Sequence, residues 1–336
     1  MENARLTPFP REQATTRICM VSSFATEFLE IRAKEPFLHV LLIPGNPGIV
    51  AFYKDFVEEL YENLGGQASI TAIGHISHSQ KDAEHGRLFS LHEQIDHKVD
   101  FIEQEFQHSE QSLVLVGHSI GAYICLEIFK RLQKKVKLCV GLYPFLTLNK
   151  NSIKQSAIGY IARSSLLSKG VSSFVSFIGS LQASVTRSIV RRLLGPSWSV
   201  TAVEATCSHL LRYHTMRNVL FMAMAEFTKL SEEPDWNFIR AKQDQIAFMF
   251  GVDDHWGPLA HLEEVNTSFA IPSFQQRSYN WTWDPDYLAS ANLSLRIDRY
   301  RNVLLGLPCR SKLKAIHTDI AARKLDRFGL QTTSLT

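Results

Sequence analysis

The stretch Leu113-Val114-Leu115-Val116-Gly117-His118-Ser119-Ile120-Gly121 constrains the fold of this chain more than any other. A run dense in Val and Leu feeds into Gly-His-Ser-Ile-Gly, a match to G-x-S-x-G. The residues that follow, Ala-Tyr-Ile-Cys-Leu-Glu-Ile-Phe-Lys-Arg-Leu, carry apolar side chains at helical spacing. Buried strand, sharp turn and amphipathic helix form the context in which that motif is a nucleophile elbow. Such a turn holds its serine in a strained backbone conformation. A Cβ at either flanking position would collide with neighbouring backbone, which accounts for Gly117 and Gly121. The alternative is an ordinary strand–helix connection whose serine only caps the helix.

Around this element, strands and helices alternate. Residues 17–31 read as one strand, and Phe37-Leu38-His39-Val40-Leu41-Leu42-Ile43 as a second, apolar on both faces. That strand ends in Pro44-Gly45-Asn46-Pro47-Gly48. Phe52, Phe56, Leu60 and Leu64 are four apart and predict a helix, which Gly65-Gly66 stops. Residues 69–75 read as a short strand, followed by a polar, histidine-rich loop to about Ser90 and a helix over 91–106. Further strands are expected at 136–143 and 245–251, with about a hundred residues of mainly helical pattern between them. This is an α/β pattern: a mostly parallel sheet with helices on both faces.

With 336 residues, 45% of them hydrophobic, the chain can bury a sizeable core, and its net charge of +3 gives no reason to expect a nucleic-acid partner. The five cysteines are scattered without metal-ligand spacing and read as reduced thiols of an intracellular protein. Cys125 and Cys139 lie in apolar runs and are expected in the core. His75, His78, His85, His92 and His97 crowd one polar region but lack a matching second ligand group, so no metal and no cofactor is expected. The N-terminus lacks the apolar stretch of a signal peptide, and no run reaches the ~20 apolar residues of a membrane span.

Ester hydrolysis by an elbow serine requires a nucleophile, oxyanion donors, a base and an acid that orients the base. Ser119 supplies the first, and the backbone N–H of Ile120, at a helix start, one oxyanion donor. The second donor is expected from the Pro-Gly-Asn-Pro-Gly loop, with the Asn46 N–H as candidate. A strand that ends in Gly251, with an acid three residues on and Pro258 four later, fits an acid loop and points to Asp254, with Asp253 as its neighbour. No base is assigned. His255 adjoins the acid, His261 sits on a helix-like face, and His317 opens a basic amphipathic pattern; each reads as a surface histidine, as His118 reads as a structural one.

Residues 150–203 contain no Asp or Glu. Lys150, Lys154, Arg163, Lys169, Arg187, Arg191 and Arg192 are interleaved there with Ile, Leu, Val and Phe. Cationic and apolar without acids is the composition of helices lying in a lipid interface. An apolar face packed on the protein body gives the same pattern, and both can hold together.

The chain resembles the lipid droplet-associated hydrolase family, in a plant-like form. The residues that carry the likeness are Leu42-Ile43-Pro44-Gly45-Asn46-Pro47-Gly48, Phe52-Tyr53, Gly117-His118-Ser119-Ile120-Gly121-Ala122-Tyr123 and Phe250-Gly251-Val252-Asp253-Asp254-His255-Trp256. The resemblance covers about residues 17–265 and implies an α/β-hydrolase fold with residues 145–240 as a helical cap. It further implies residence on lipid droplets, endoplasmic reticulum or in the cytosol, and hydrolysis of sterol esters or other neutral-lipid esters such as acylglycerols. Beyond residue 265 the pattern departs from the family: no glutamate follows Glu264, and residues 266–336 read as a divergent C-terminal segment in place of the last strand and the base. A catalytically inert hydrolase-fold protein that binds droplets or partners is therefore the alternative expectation.

Overall fold

The computed structural model describes residues 12–250, apart from 108, 110, 150, 151, 196 and 197. Asp253, Asp254, His255, His261, His317 and the segment 266–336 lie outside the described residues. A seven-stranded sheet forms in the order β1-β2-β4-β3-β5-β6-β7. Its strands are β1 Thr15–Val21, β2 Phe24–Ile31, β3 Leu38–Ile43, β4 Ala68–Ile73, β5 Ser112–His118, β6 Val136–Leu142 and β7 Ile246–Met249. From β4 through β7 the pairings are parallel, with Leu42 opposite both Ala72 and Val116. β2 joins β4 and β1 antiparallel.

The single strand expected over residues 17–31 is instead a hairpin. Val21 pairs with Phe24 across Ser22 and Ser23, whose φ values are +48° and +70°. A two-residue hairpin turn needs positive φ at both positions, and the usual Asn-Gly or Asp-Gly signal is absent here.

β3 and β5 are apolar because both their faces are buried: Val40, Leu41, Leu42, Val114, Leu115 and Val116 are all inaccessible. Helices α1 Lys54–Asn63, α2 Leu91–Glu105 and α3 Ile120–Arg131 pack around the sheet. A capping box starts α2, Ser90 Oγ accepting from Glu93 N–H while the Glu93 carboxylate accepts from Ser90 N–H. Gly65 and Gly66 follow α1, each at φ +66°. Cys125 and Cys139 are core residues, and burial raises the Cys125 thiol.

The first part of the histidine-rich loop is polar but not solvated. His75, Ser77 and His78 are buried, with the two rings 5.4 Å apart, whereas His85 and His92 are exposed. Among the described residues no group of three or more His, Cys, Asp or Glu is arranged to hold a metal ion.

Between β6 and β7 the described residues form helices α4 Ile153–Arg163, α5 Ser165–Ser180, α6 Ala183–Leu194, α7 Val200–Ala205, α8 Tyr213–Lys229 and α9 Trp236–Ala241. α8 docks on the body through residues four apart: His214, Asn218, Met222 and Glu226 are all buried. His214 Nε2 lies 2.9 Å from Ser79 O, and Asn218 accepts from Phe89 N–H and donates to Arg87 O, each at 3.0 Å.

α5 is turned the other way. It buries Ser168 and Ser172 toward α8, where Arg217 bonds Ser168 Oγ, and leaves Leu166, Phe174 and Phe177 between 62% and 81% exposed. Ile153 and Tyr160 on α4 and Leu193 on α6 are exposed as well. No described helix is long and apolar enough to cross a membrane.

Candidate active site

Strand β5 delivers the chain to Ser119, which has φ +54° and ψ −122°. This is a region that L-residues occupy only where surrounding structure imposes it. Three backbone hydrogen bonds do so: Ser119 N–H donates to Leu142 O at 3.0 Å, and Ser119 O accepts from Ala122 N–H at 3.0 Å and Phe145 N–H at 3.1 Å. A Cβ on Gly117 would overlap the backbone of Gly121, and one on Gly121 would overlap the carbonyls of Ile43 and Pro44. The glycines are therefore required by close backbone approach on both sides of the serine. The helix-cap alternative fails, because Ser119 occupies the N-cap position of α3 without a side-chain capping bond.

Ile120 is the first residue of α3, where helix N–H groups have no partner from within the helix. Against this turn lies the loop after β3. A Cβ on Gly45 would sit 3.1 Å from Ser119 Cβ and 3.1 Å from His118 Nδ1. Gly45 N–H donates to Tyr53 Oη at 2.9 Å, so the next amide, that of Asn46, is the one this loop has to offer. Asn46 is followed by a cis peptide bond to Pro47, and its side-chain Nδ2 donates to Val219 O of α8 at 2.9 Å. Ser119, Ile120 and Asn46 are thus brought to one place at the C-terminal edge of the sheet. Asp254 belongs to the segment after β7 that is not described.

His118 is a structural neighbour. Its Nδ1 lies 2.8 Å from Tyr53 Oη, and its ring stands edge-on to Tyr53 and Tyr143. Burial pushes its pKa down to about 4, so the ring is neutral and its Nδ1 can accept the Tyr53 hydroxyl proton.

Two residues at this site escaped sequence reasoning. Tyr53 stood out only as part of a motif, without a role. Glu226, on α8, is buried, and burial raises its carboxyl to about 8. Its spacing with His214, Asn218 and Met222 marks a docked helix face, but nothing in the sequence says which face meets which loop.

The architecture matches solved structures at low sequence identity. The peroxisomal alpha-beta-hydrolase Lpx1 from Saccharomyces cerevisiae aligns with a TM-score of 0.60 at 12% identity, over 96% of this chain and 99% of that one. An epoxide hydrolase from Vigna radiata aligns with a TM-score of 0.57 at 14% identity, over 87% and 99%. The fold is that of the α/β-hydrolases.

Sequence relatives are nearer. The lipid droplet-associated hydrolase of Dictyostelium discoideum is 26% identical over 265 residues, covering 75% of this chain and 84% of the relative. That of Gallus gallus is 28% identical over 249 residues, covering 70% and 75%, and that of Homo sapiens 26% identical over 275 residues, covering 76% and 82%. The sequence model of the lipid-droplet associated hydrolases matches residues 36–281, including the elbow and the Pro-Gly-Asn-Pro-Gly loop. By that match over most of its length, the chain belongs to the lipid-droplet associated hydrolase family.

Proposed function

We propose that this chain is a serine ester hydrolase acting on neutral-lipid esters, sterol esters or acylglycerols, at the surface of lipid droplets. The observation that carries the reading is Ser119, held at φ +54° with its side chain free of any capping bond and against the Gly45–Asn46 turn. Ser119 Oγ attacks the ester carbonyl carbon and gives its proton to a base, and the carbonyl oxygen takes the negative charge. The N–H groups of Ile120 and Asn46 hold that oxyanion. The alcohol leaves with a proton returned by the base, and water releases the acyl group from Ser119 by the same steps. Asp254 orients the base, to which no residue is assigned.

Residues 145–240 form the cap, and its outer surface is the lipid-contacting face. α5 supports this by exposing Leu166, Phe174 and Phe177 while burying two serines, the reverse of what water favours. Lys169 on α5 and Arg191 and Arg192 on α6 are exposed too, and no acid occurs over residues 150–203. Apolar tips entering a monolayer, with cationic stems reaching its head groups, fit that composition. The names of the curated relatives point to the same surface; endoplasmic reticulum and cytosol are the other proposed sites of residence.

The second reading is an inert droplet-binding protein, favoured by the lack of any histidine between His261 and His317. Emulsified triolein and cholesteryl oleate separate the two. Fatty-acid release by the wild type and none by Ser119→Ala supports hydrolysis; equal release by both, or by neither, rejects it.

A further inference from the structure

The cap helices carry their basic residues in a fixed relation to their exposed apolar ones. On α4, Gln155, Gly159 and Ala162 are buried, while Ile153 and Tyr160, seven residues apart, share the opposite side and are 85% and 71% exposed. At about 100° per residue, Lys154 stands on one flank of that apolar side and Arg163 on the other. α5 repeats the arrangement. Ser168 and Ser172 face inward, Leu166 and Phe177 point the opposite way, and Lys169 stands about 60° to one side of Leu166, away from Phe174. On α6, Arg192 lies on the same side as the exposed Val185, seven residues before it. α4 and α5 both pack on α8, which supports their outer sides together.

Lys154, Arg163, Lys169 and Arg192 are exposed, and among the described residues none of them is in an ion pair. Arg187 differs: it bonds both oxygens of Glu204, at 2.7 and 3.2 Å, and the charge of Arg191 reaches the same carboxylate. The outer surface therefore leaves two demands unmet, an apolar medium and negative charge. Water and its ions meet the second but not the first. A strip that is apolar along its middle and basic along its edges is the form of a helix lying flat at a lipid interface, where Lys and Arg stems bend back to the head groups. A zwitterionic head-group layer offers these cations no net charge. An anionic one does, and each Lys or Arg held near it strengthens binding about fivefold.

We propose that the cap selects lipid monolayers with anionic phospholipids: Lys154, Arg163, Lys169 and Arg192 bind their charged head groups while the exposed apolar side chains between them enter the acyl layer. This rests on the lipid-contacting face proposed above and adds to it the class of lipid that the face recognises.

The test is flotation of the full chain with triolein droplets coated in phosphatidylcholine alone, or in phosphatidylcholine with one quarter phosphatidylserine. At about 0.1 M NaCl the wild type should partition at least about tenfold more strongly onto the anionic coat. That preference should vanish at about 1 M NaCl, where charges act over about 3 Å rather than about 10 Å. Replacing the four cations together (Lys154→Gln, Arg163→Gln, Lys169→Gln, Arg192→Gln) should make the two coats equivalent. If that variant does not fold, the salt dependence of the wild type decides alone.

Equal partition of the wild type onto both coats at low salt overturns the proposal, as does a preference that survives high salt or the four replacements. Equal partition that is lost in Phe174→Ser/Phe177→Ser rejects head-group selection and leaves the lipid-contacting face standing. Flotation with neither coat rejects both. None of these outcomes depends on whether Ser119 is reactive.

Discussion

Tyr53 meets His118 across the base of the elbow, Oη to Nδ1 at 2.8 Å, and the same hydroxyl accepts the Gly45 N–H. One phenol thus joins the strand that leads to Ser119 to the loop that holds Asn46, the proposed second oxyanion donor. Tyr53→Phe keeps the ring and removes both bonds, leaving the Gly45 N–H and a neutral imidazole nitrogen without partners. The expected cost is about 1–3 kcal/mol of stability, read by urea denaturation, together with slower reaction of Ser119 with a fluorophosphonate. A variant as stable and as reactive as the wild type would contradict the role given to Tyr53.

Gly117 and Gly65 separate two reasons for a glycine. At Gly65, φ is +66° and no atom lies near an added Cβ, so Gly65→Ala should cost only the left-handed penalty, about 1–2 kcal/mol, and leave Ser119 reactive. At Gly117 the added Cβ meets the Gly121 backbone, which has no rotamer to move aside. Gly117→Ala should therefore cost about 3 kcal/mol or more and abolish Ser119 reactivity. Equal denaturation midpoints for the two variants would show that the elbow is not close-packed.

His39, on β3 away from the elbow, is neutral in the fold because burial lowers its pKa to about 4, against an ordinary value near 6.5. The unfolded chain therefore binds one more proton than the folded one between those limits. The contribution of His39 is fully present above about pH 6.5 and is lost as pH falls toward about 4. His39→Gln should flatten the acid limb of stability by about 1.4 kcal/mol per pH unit within that window, measured by urea denaturation across it. An unchanged slope would mean that the imidazole is charged in the folded protein.

Phe174 and Phe177 face outward on α5, so replacing both with Ser should leave thermal stability unaltered. Each buried phenylalanine contributes about 1.5–3 kcal/mol to an apolar contact. Flotation of the double variant with triolein droplets coated in phospholipid should fall at least about tenfold. Undiminished flotation would remove the lipid-contacting role from the cap.

Local pattern carried the sheet and the elbow because β3, β5 and the start of α3 each obey one rule over several residues. The Ser22–Ser23 turn was hidden because serine is not a residue that favours positive φ, and only the pairing of Val21 with Phe24 reveals it. His75 and His78 look like loop residues, and their burial follows from the packing of the loop after β4 beneath residues 44–48. Gly48, whose amide donates to His78 Nδ1, has no room for a side chain beside the His75 ring. Glu226 is an ordinary glutamate in an ordinary amphipathic helix, and its burial follows only from how α8 docks. The composition of residues 150–203 raised the lipid-facing possibility, but that serine and not phenylalanine faces inward on α5 shows only in its packing with α8.

Ser119 as an activated nucleophile is the claim on which the proposed chemistry depends. A fluorophosphonate added to the full-length protein, followed by mass spectrometry of the digested peptides, should place the phosphonyl adduct on Ser119. The adduct should be absent from Ser119→Ala and from protein unfolded beforehand. An intact Ser119 after prolonged exposure of the folded protein, or an adduct found on another residue with Ser119 free, would contradict the account.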